Sequence, residues 1–437
     1  MNEQGGRHAT EVEQMMAGPK YLRPLTDFLR KEASAGILLV IAAAIAMIWA
    51  NSPWSDSYVD LWDTHAIIGV GDFNIELTLR EWINDAAMVI FFFVVGLEIK
   101  RELTQGELKD PRQAALPIIA AFGGMIVPGL IFYALNAGTD ASKGWGIPMA
   151  TDIAVVMGLV SMLGTRVPSW LKLFLLALAI VDDIGAIVVI AVFYSEGVSL
   201  TWLALAIAAL GAAALIRNHV NFLGAYLLLG VVCWVALHEA HVHTTLAGVA
   251  FGLLAPVIPR DNNQYVDADE LGLPNTAATA QLVASQARHS VSVVEWLTFK
   301  LHPYSAWFIV PIFALANAGV KIPTDNVGET LSSRVTWGVI LGLVVGKIVG
   351  VAGATLLAAK LKIGTLPPTV TTRYVIGAAA LAGIGFTVSL FVTELAFGDS
   401  VNGTDARLGV LIASLLAAVI GTAICVPGHV DESDRSD

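Results

Sequence analysis

The sequence predicts an all-α protein that crosses a membrane many times, and two observations carry this prediction. Apolar residues make up 56% of the 437 residues and charged residues only 14%, against roughly 25% charged residues in an average soluble domain. The mean hydropathy is +0.71, and the apolar residues form runs near the length of about 20 that crosses a bilayer as a helix. This composition excludes a mainly soluble enzyme, a disordered chain and, with a net charge of −11, a nucleic-acid-binding protein.

Twelve apolar runs are candidates for membrane-spanning helices. In lipid, backbone amide groups must be hydrogen-bonded within the segment, and the length and continuity of the runs favour helices over a barrel. The twelve predicted spans lie near residues 33–50, 84–99, 114–135, 147–164, 170–194, 200–216, 221–238, 243–257, 304–320, 335–359, 374–397 and 408–426.

The distribution of Lys and Arg predicts the orientation, because short cytoplasmic loops carry an excess of both. If the N-terminus is cytoplasmic, nineteen of the 25 Lys and Arg residues lie on the inner side, five lie on the outer side, and Lys347 lies within a span. We therefore predict a cytoplasmic segment over 1–32, a single transmembrane domain over 33–426 and a cytoplasmic tail over 427–437.

Two loops have distinctive patterns. Apolar and polar residues alternate after a Gly71-Asp72 turn, which predicts a small β-hairpin within 65–82 on the outer face. An exposed hairpin edge can pair with a second copy of itself. The polar segment 258–302 is predicted to be a cytoplasmic loop whose second half forms an amphipathic helix.

Four ionisable residues lie within predicted spans: Asp152, Asp182, Asp183 and Lys347. An Asp or Lys at the centre of a span costs roughly 2.5–3.5 kcal/mol on insertion scales, and such residues usually mark ion or proton paths. The adjacent Asp182 and Asp183 repel each other, which favours a pair that exchanges a proton for a cation. The alternative is that both carboxylates are structural and cap neighbouring helices.

Asp152 follows Pro148 and Thr151 in the fourth span. Proline removes a backbone donor, so Thr and Asp just beyond it are suited to cap a restarted helix. Asp152 is therefore either a plain cap or a carboxylate that faces a cavity at a broken helix. For Lys347 the sequence leaves three possibilities: a carboxylate partner, a neutral amine, or compensation of helix C-terminal dipoles.

The eleventh span contains Gly383 and Gly385, which weaken a helix, and then Thr387 and Ser389, which offer oxygen atoms. Interruptions in the fourth and eleventh spans are typical of transporter sites built from half-helices. The sequence lacks a Gly-rich phosphate-binding loop, and the His238–His243 segment lacks the spacing of a zinc helix. We therefore expect no cofactor.

Two other functions fit parts of the pattern. An intramembrane aspartyl protease needs two carboxylates on different helices that face each other, whereas Asp182 and Asp183 are adjacent on one helix. The Gly-x-Gly-Asp motif of that class is present as Gly69–Asp72, but it lies in the predicted hairpin and not in a span. A cation channel usually has repeated filter loops or rings of charge, and the sequence shows neither.

Over residues 25–425 the chain resembles the NhaA-type sodium/proton antiporters of bacteria. Six stretches carry the resemblance: Phe91–Glu107 (FFFVVGLEIKRELTQGE), Ile147–Gly164, Leu176–Tyr194 with its Asp-Asp pair, Thr244–Leu254, His302–Val320 (HPYSAWFIVPIFALANAGV) and Gly383–Phe397.

The resemblance implies inverted repeats that relate spans three to five to spans ten to twelve, with spans four and eleven interrupted and crossing. It implies Asp183 as the main Na+ or Li+ ligand and Asp182 as a second ligand or proton carrier. Thr151 and Asp152 would lie at the break, with Lys347 either compensating charge or paired with Asp182. Glu98, Glu102 and His243 match positions linked with pH response.

The resemblance also implies the transport activity and its setting. Members of the family expel Na+ or Li+ in exchange for a larger number of inward protons, in the bacterial cytoplasmic membrane, and are commonly dimers joined by the outer hairpin. The partners expected of this chain are therefore the lipid bilayer, Na+, H+ and a second copy. One departure is Ile348, where family members often have proline, so we expect the tenth span to bend less.

Overall fold

The computed structural model describes residues 23–426 apart from 71–72, 196, 218–222, 258–290, 323–327, 329–331, 365 and 368–369. The described part is mainly helical, with one antiparallel pair of strands. The helices are α1 (Arg23–Ala50), α2 (Ser55–Trp62), α3 (Leu79–Thr104), α4 (Pro111–Asn136), α5 (Ile153–Leu163), α6 (Ser169–Phe193), α7 (Leu200–Ile216), α8 (Leu223–Glu239), α9 (Thr245–Leu254), α10 (293–317), α11 (Arg334–Lys360), α12 (Thr372–Leu381), α13 (Phe386–Phe397) and α14 (Val401–Cys425), and a 3₁₀ helix, Asp140–Met149, precedes α5.

Each predicted span falls on one helix or, for the fourth and eleventh spans, on two consecutive helical segments, but the count of twelve spans is not confirmed. Six helices of the described residues are long and apolar enough to cross a membrane, or up to eight if each of two bent helix pairs forms one span. Helices α7 and α8 have 17 residues and α9 has 10, which corresponds to about 26 Å and 15 Å, shorter than the roughly 30 Å hydrocarbon core. Helix α7 has the bounds of its predicted run and α8 nearly so, whereas α9 begins two residues after the start of its predicted run, 243–257, and ends three residues before its end.

Two helices begin about ten residues earlier than the hydropathy predicted. Helix α1 starts at Arg23 rather than near residue 33, and the rest of the predicted N-terminal segment, 1–22, lies outside the described residues, as does the tail over 427–437. Helix α10 starts at Val293, in the second half of the predicted loop over 258–302, where an amphipathic helix was predicted, and its Val294 and Leu297 pack against Leu97 of α3. The rest of that loop, 258–290, lies outside the described residues.

The predicted hairpin is confirmed. Strands β1 (His65–Val70) and β2 (Phe73–Thr78) pair antiparallel, from His65 opposite Thr78 to Val70 opposite Phe73. The predicted turn at 71–72 lies outside the described residues. On β2 the alternating Ile75 and Leu77 are buried, as the period-two pattern requires.

The buried apolar side chains of the described residues form one large cluster and two smaller ones. The large cluster draws mainly on α1, α3–α6 and α10–α14, one small cluster joins α7, α8 and α9, and the other consists of Leu97, Ala255 and Val294. Helix α4 packs against the 3₁₀ helix, α6 and α11. The interrupted helices and the helices that carry the ionisable residues therefore all lie in the large cluster.

Candidate functional site

The fourth predicted span is interrupted, as the sequence predicts. Its first half is the 3₁₀ helix, which contains Pro148, and residues 150–152 form no helix before α5 begins. Asp152 is the cap of α5, because its Oδ1 accepts a hydrogen bond from the backbone N of Val155 at 3.1 Å. The predicted capping role of Asp152 is therefore observed.

The eleventh predicted span is also interrupted. Helix α12 ends at Leu381, α13 begins at Phe386, and the two axes differ by 46°. A Cβ atom at Gly383 would overlap the carbonyl oxygen of Leu343 on α11. A glycine at this position therefore permits the break to approach α11 closely.

The two interruptions contact each other through hydrogen bonds. The backbone N of Asp152 donates to the carbonyl O of Ile384 at 2.6 Å, and the Thr151 hydroxyl donates to the carbonyl O of Ala382 at 2.8 Å. In return, Thr387 donates to Asp152 Oδ2 from its backbone N at 3.0 Å and from its hydroxyl at 2.6 Å. One carboxylate thus caps two half-helices, whose N-termini carry partial positive charge.

Lys347 lies beside this crossing. Its Nζ donates to Asp182 Oδ2 at 2.7 Å, to Thr151 Oγ1 at 3.0 Å and to the carbonyl O of Met149. The side chains of Lys347 and Asp182 are both completely buried. Of the three possibilities that the sequence left open for Lys347, the structure therefore shows a carboxylate partner.

The backbone of α11 is unusual around Lys347. The helix runs from Arg334 to Lys360 without a break, but Gly342–Gly346 and Ile348–Ala352 are wound as π-helix on either side of the lysine. Single π-helical turns often occur at functional sites. The distortion is present although position 348 is not proline.

Asp183 follows Asp182 on α6, about 100° further around the helix. It is half-buried, and within the described part of the chain it forms no hydrogen bond or ion pair. Oδ1 of Asp182 is buried and also has no hydrogen-bond partner among the described residues. The two carboxylates therefore have oxygen atoms that are available to a cation or a proton.

The predicted pH-responsive residues do not form one group. Oε1 of Glu98, near the C-terminal end of α3, lies 3.7 Å from Nε2 of His302. Glu102, one turn further along, pairs with Arg101 at 3.4 Å. Both glutamates are therefore at the end of α3 that the Lys and Arg distribution places on the cytoplasmic side.

His243 lies towards the other end of α3. Its Nε2 is 2.6 Å from the carbonyl O of Tyr194, and the neighbouring Thr244 donates to the carbonyl O of Asp85 at 3.0 Å. Asp85 and Glu98 are separated by 13 residues of helix, or about 20 Å. Burial lowers the pKa of His243.

Several contributors to the site were missed by the sequence reasoning. The carbonyl groups of Met149, Ala382 and Ile384 act through the backbone and leave no mark in side-chain chemistry. The Gly123–Gly124 pair of α4 was a usable signal, because a Cβ at Gly124 would lie 3.7 Å from Lys347 Nζ and 2.6 Å from Val351. Two adjacent glycines in an apolar helix indicate a close approach of another helix.

The fold and the site together define a class of protein: a multi-pass membrane transport protein with its charged residues buried where two interrupted helices meet. The pattern of the Na+/H+ antiporter 1 family matches residues 26–425. The chain belongs to this family.

Curated relatives support the membership. The Na+/H+ antiporter NhaA of Oleidesulfovibrio alaskensis is 46% identical, with 92% of this chain and 93% of the relative covered. NhaA 3 of Frankia alni is 44% identical, with 93% and 89% covered, and NhaA of Rhodopirellula baltica is 43% identical, with 93% and 94% covered. The predicted family is therefore confirmed, as is the prediction that the chain is a transporter and not an enzyme.

Proposed function

We propose that this protein expels Na+ or Li+ from the bacterial cytoplasm in exchange for inward H+, and that cation and protons compete for Asp182 and Asp183. The named relatives are Na+/H+ antiporters. The observation that carries the proposal is the buried Asp182–Lys347 pair beside Asp183, at the contact between two interrupted helices. Carboxylate, hydroxyl and carbonyl oxygens are the ligands that small hard cations prefer.

Competition at one site accounts for coupled exchange. A cation bound by Asp183 and the free oxygen of Asp182 neutralises charge that the apolar surroundings disfavour, and protons bound to the same carboxylates do so equally. Only the loaded or protonated forms then change readily from facing one side to facing the other. Thr151 offers a further oxygen, Asp152 holds the two half-helices together, and Lys347 balances the charge of the site.

Unequal exchange makes transport respond to the membrane potential. We propose more than one proton per Na+, so that each cycle moves net positive charge inward. A potential of 100 mV contributes about 2.3 kcal/mol for each net charge moved. Exchange of this kind needs only the two ion gradients, and we propose no cofactor.

The full architecture that we propose is twelve spans with inverted repeats and both termini in the cytoplasm. Two findings support it: each predicted span falls on one helix or on two consecutive helical segments, and the two interruptions fall in the fourth and eleventh spans and contact each other. We further propose that Glu98, Glu102 and His243 adjust activity to pH, and that two copies associate through the outer hairpin over 65–82.

The test is Na+/H+ exchange in everted vesicles with a preset pH gradient. Asp183→Asn should abolish the recovery of the gradient on addition of Na+, whereas Asp140→Asn, which removes an exposed carboxylate at the start of the 3₁₀ helix, should leave it intact. Exchange by Asp183→Asn at the wild-type rate would reject the assignment of the site. Saturable flux that depends on the pH gradient distinguishes an antiporter from a channel.

A further inference from the structure

The first turn of α13 is held by one side chain from α14 and one from the N-terminal cap of α5. The backbone N of Phe386 donates to Oγ of Ser414 on α14 at 3.2 Å. The backbone N of the next residue, Thr387, donates to Asp152 Oδ2 at 3.0 Å. Phe386 and Ser414 are 6% and 7% exposed, so water does not readily replace either contact.

The first amide groups of a helix have no acceptor within that helix. When such an N–H is buried, loss of its external acceptor leaves it unsatisfied, which is strongly unfavourable. Ser414 accepts from the first amide of α13 and Asp152 from the second. Together they set the direction in which the N-terminus of α13 points.

A chain of contacts connects this turn to the Asp182–Lys347 pair. Thr387 binds Asp152, and the neighbouring Thr151 accepts from Lys347 Nζ at 3.0 Å. Lys347 in turn binds Asp182 at 2.7 Å. A tilt of the first turn of α13 therefore displaces groups that lie within one or two hydrogen bonds of the carboxylates.

We propose that Ser414 is a positioning residue of the cation site, which acts by holding the first turn of α13 against Asp152. This inference rests on the proposed Na+/H+ exchange. Without the hydroxyl, the Phe386 N–H lacks its acceptor on α14, and the first turn of α13 is no longer held in place against Asp152. The apparent affinity for the cation then falls more than the maximal rate of transport does.

The test uses the full-length protein in proteoliposomes, with Na+ concentration varied at several pH values. Ser414→Ala should raise the apparent KM for Na+ about fivefold, which is the size expected for one net hydrogen bond, and change the maximal rate less than twofold. Ser414→Thr keeps the hydroxyl and should restore a KM close to that of the wild type. The matched control is Thr355→Val on α11, whose buried hydroxyl bonds, among the described residues, only to the carbonyl O of Val351 in its own helix.

Each result is decisive. If Ser414→Ala has the KM of Thr355→Val, or if Ser414→Thr is impaired as strongly as Ser414→Ala, the positioning role is overturned. If Ser414→Ala does not fold, Ser414→Cys takes its place, since a thiol is a weak acceptor of similar size, and a KM equal to that of the wild type contradicts the proposal. Absence of exchange in the wild-type protein would instead refute the proposed function.

Discussion

The ammonium nitrogen of Lys347 lies 2.7 Å from Oδ2 of Asp182, and neither side chain is exposed. Attraction between the two groups offsets the cost of removing both from water, so each side chain is stable in this buried position only while the other is present. Loss of one partner leaves an uncompensated buried charge, which typically destabilises a protein by about 3–5 kcal/mol.

We therefore predict that Lys347→Met and Asp182→Asn each lower the free energy of unfolding by several kcal/mol. The double variant should be less destabilised than the sum of the two, because it leaves no unpaired charge. Unfolding of the four proteins in detergent, compared as a double-mutant cycle, measures the coupling between the residues. Additive effects would contradict the pairing.

The residues of this site could be predicted individually, whereas most of their contacts could not, and the pairing of Lys347 with Asp182 was one of two alternatives that the family resemblance implied. Asp182, Asp152 and Lys347 stood out because charges within apolar runs are rare and expensive. Which group Lys347 contacts depends on how α4, α6 and α11 pack, and a single sequence holds that information only indirectly. The carbonyl of Met149 is the clearest case, since no side chain marks it.

The helices, like the residues of the site, could be predicted only in part from the sequence. Apolar runs located the helices, and proline and glycine located both interruptions. Hydropathy does not report where a helix ends, so α9 proved shorter than its apolar run. It also does not detect a polar helix start, so α1 begins earlier than predicted. The amphipathic pattern in the second half of 258–302, by contrast, did indicate helix before the predicted span 304–320, where α10 begins.

A second prediction concerns an ion-pair network at the C-terminal end of α13. Arg407 binds Glu394, and Asp399 lies 3.2 Å away. The Arg407 and Glu394 side chains are 9% and 19% exposed, whereas that of Asp399 is 66% exposed.

Glu394→Gln should lower the free energy of unfolding by about 1.5–3 kcal/mol, as expected for buried charged partners, and Asp399→Asn by less than about 1 kcal/mol. Thermal unfolding of the two variants in detergent tests the order, and a larger loss for Asp399→Asn would show that burial does not set the contributions.

A third prediction concerns pH and His243. Because burial lowers the pKa of His243 below its usual 6.5, the unfolded chain binds a proton there at a higher pH than the folded protein does. Stability should therefore be complete above about pH 6.5 and decline as the pH falls towards the folded pKa. His243→Asn removes this titration and keeps a donor for the Tyr194 carbonyl, so its unfolding temperature should decline less over the same range. Equal declines for the two proteins would show that His243 does not contribute.

The fourth prediction concerns association through the hairpin. Ile67 and Ile68 of β1 are 61% and 63% exposed, and a two-stranded sheet has edges at which a second copy can pair. Replacement of both by lysine should convert the proposed dimer to a monomer, because charges on an edge strand oppose pairing. Glu76→Gln on β2 changes an exposed side chain without altering the apolar pair, so it is the control. Sedimentation of the detergent-solubilised proteins measures their mass: a monomeric wild type would refute the dimer, and a dimeric lysine variant would place the interface elsewhere.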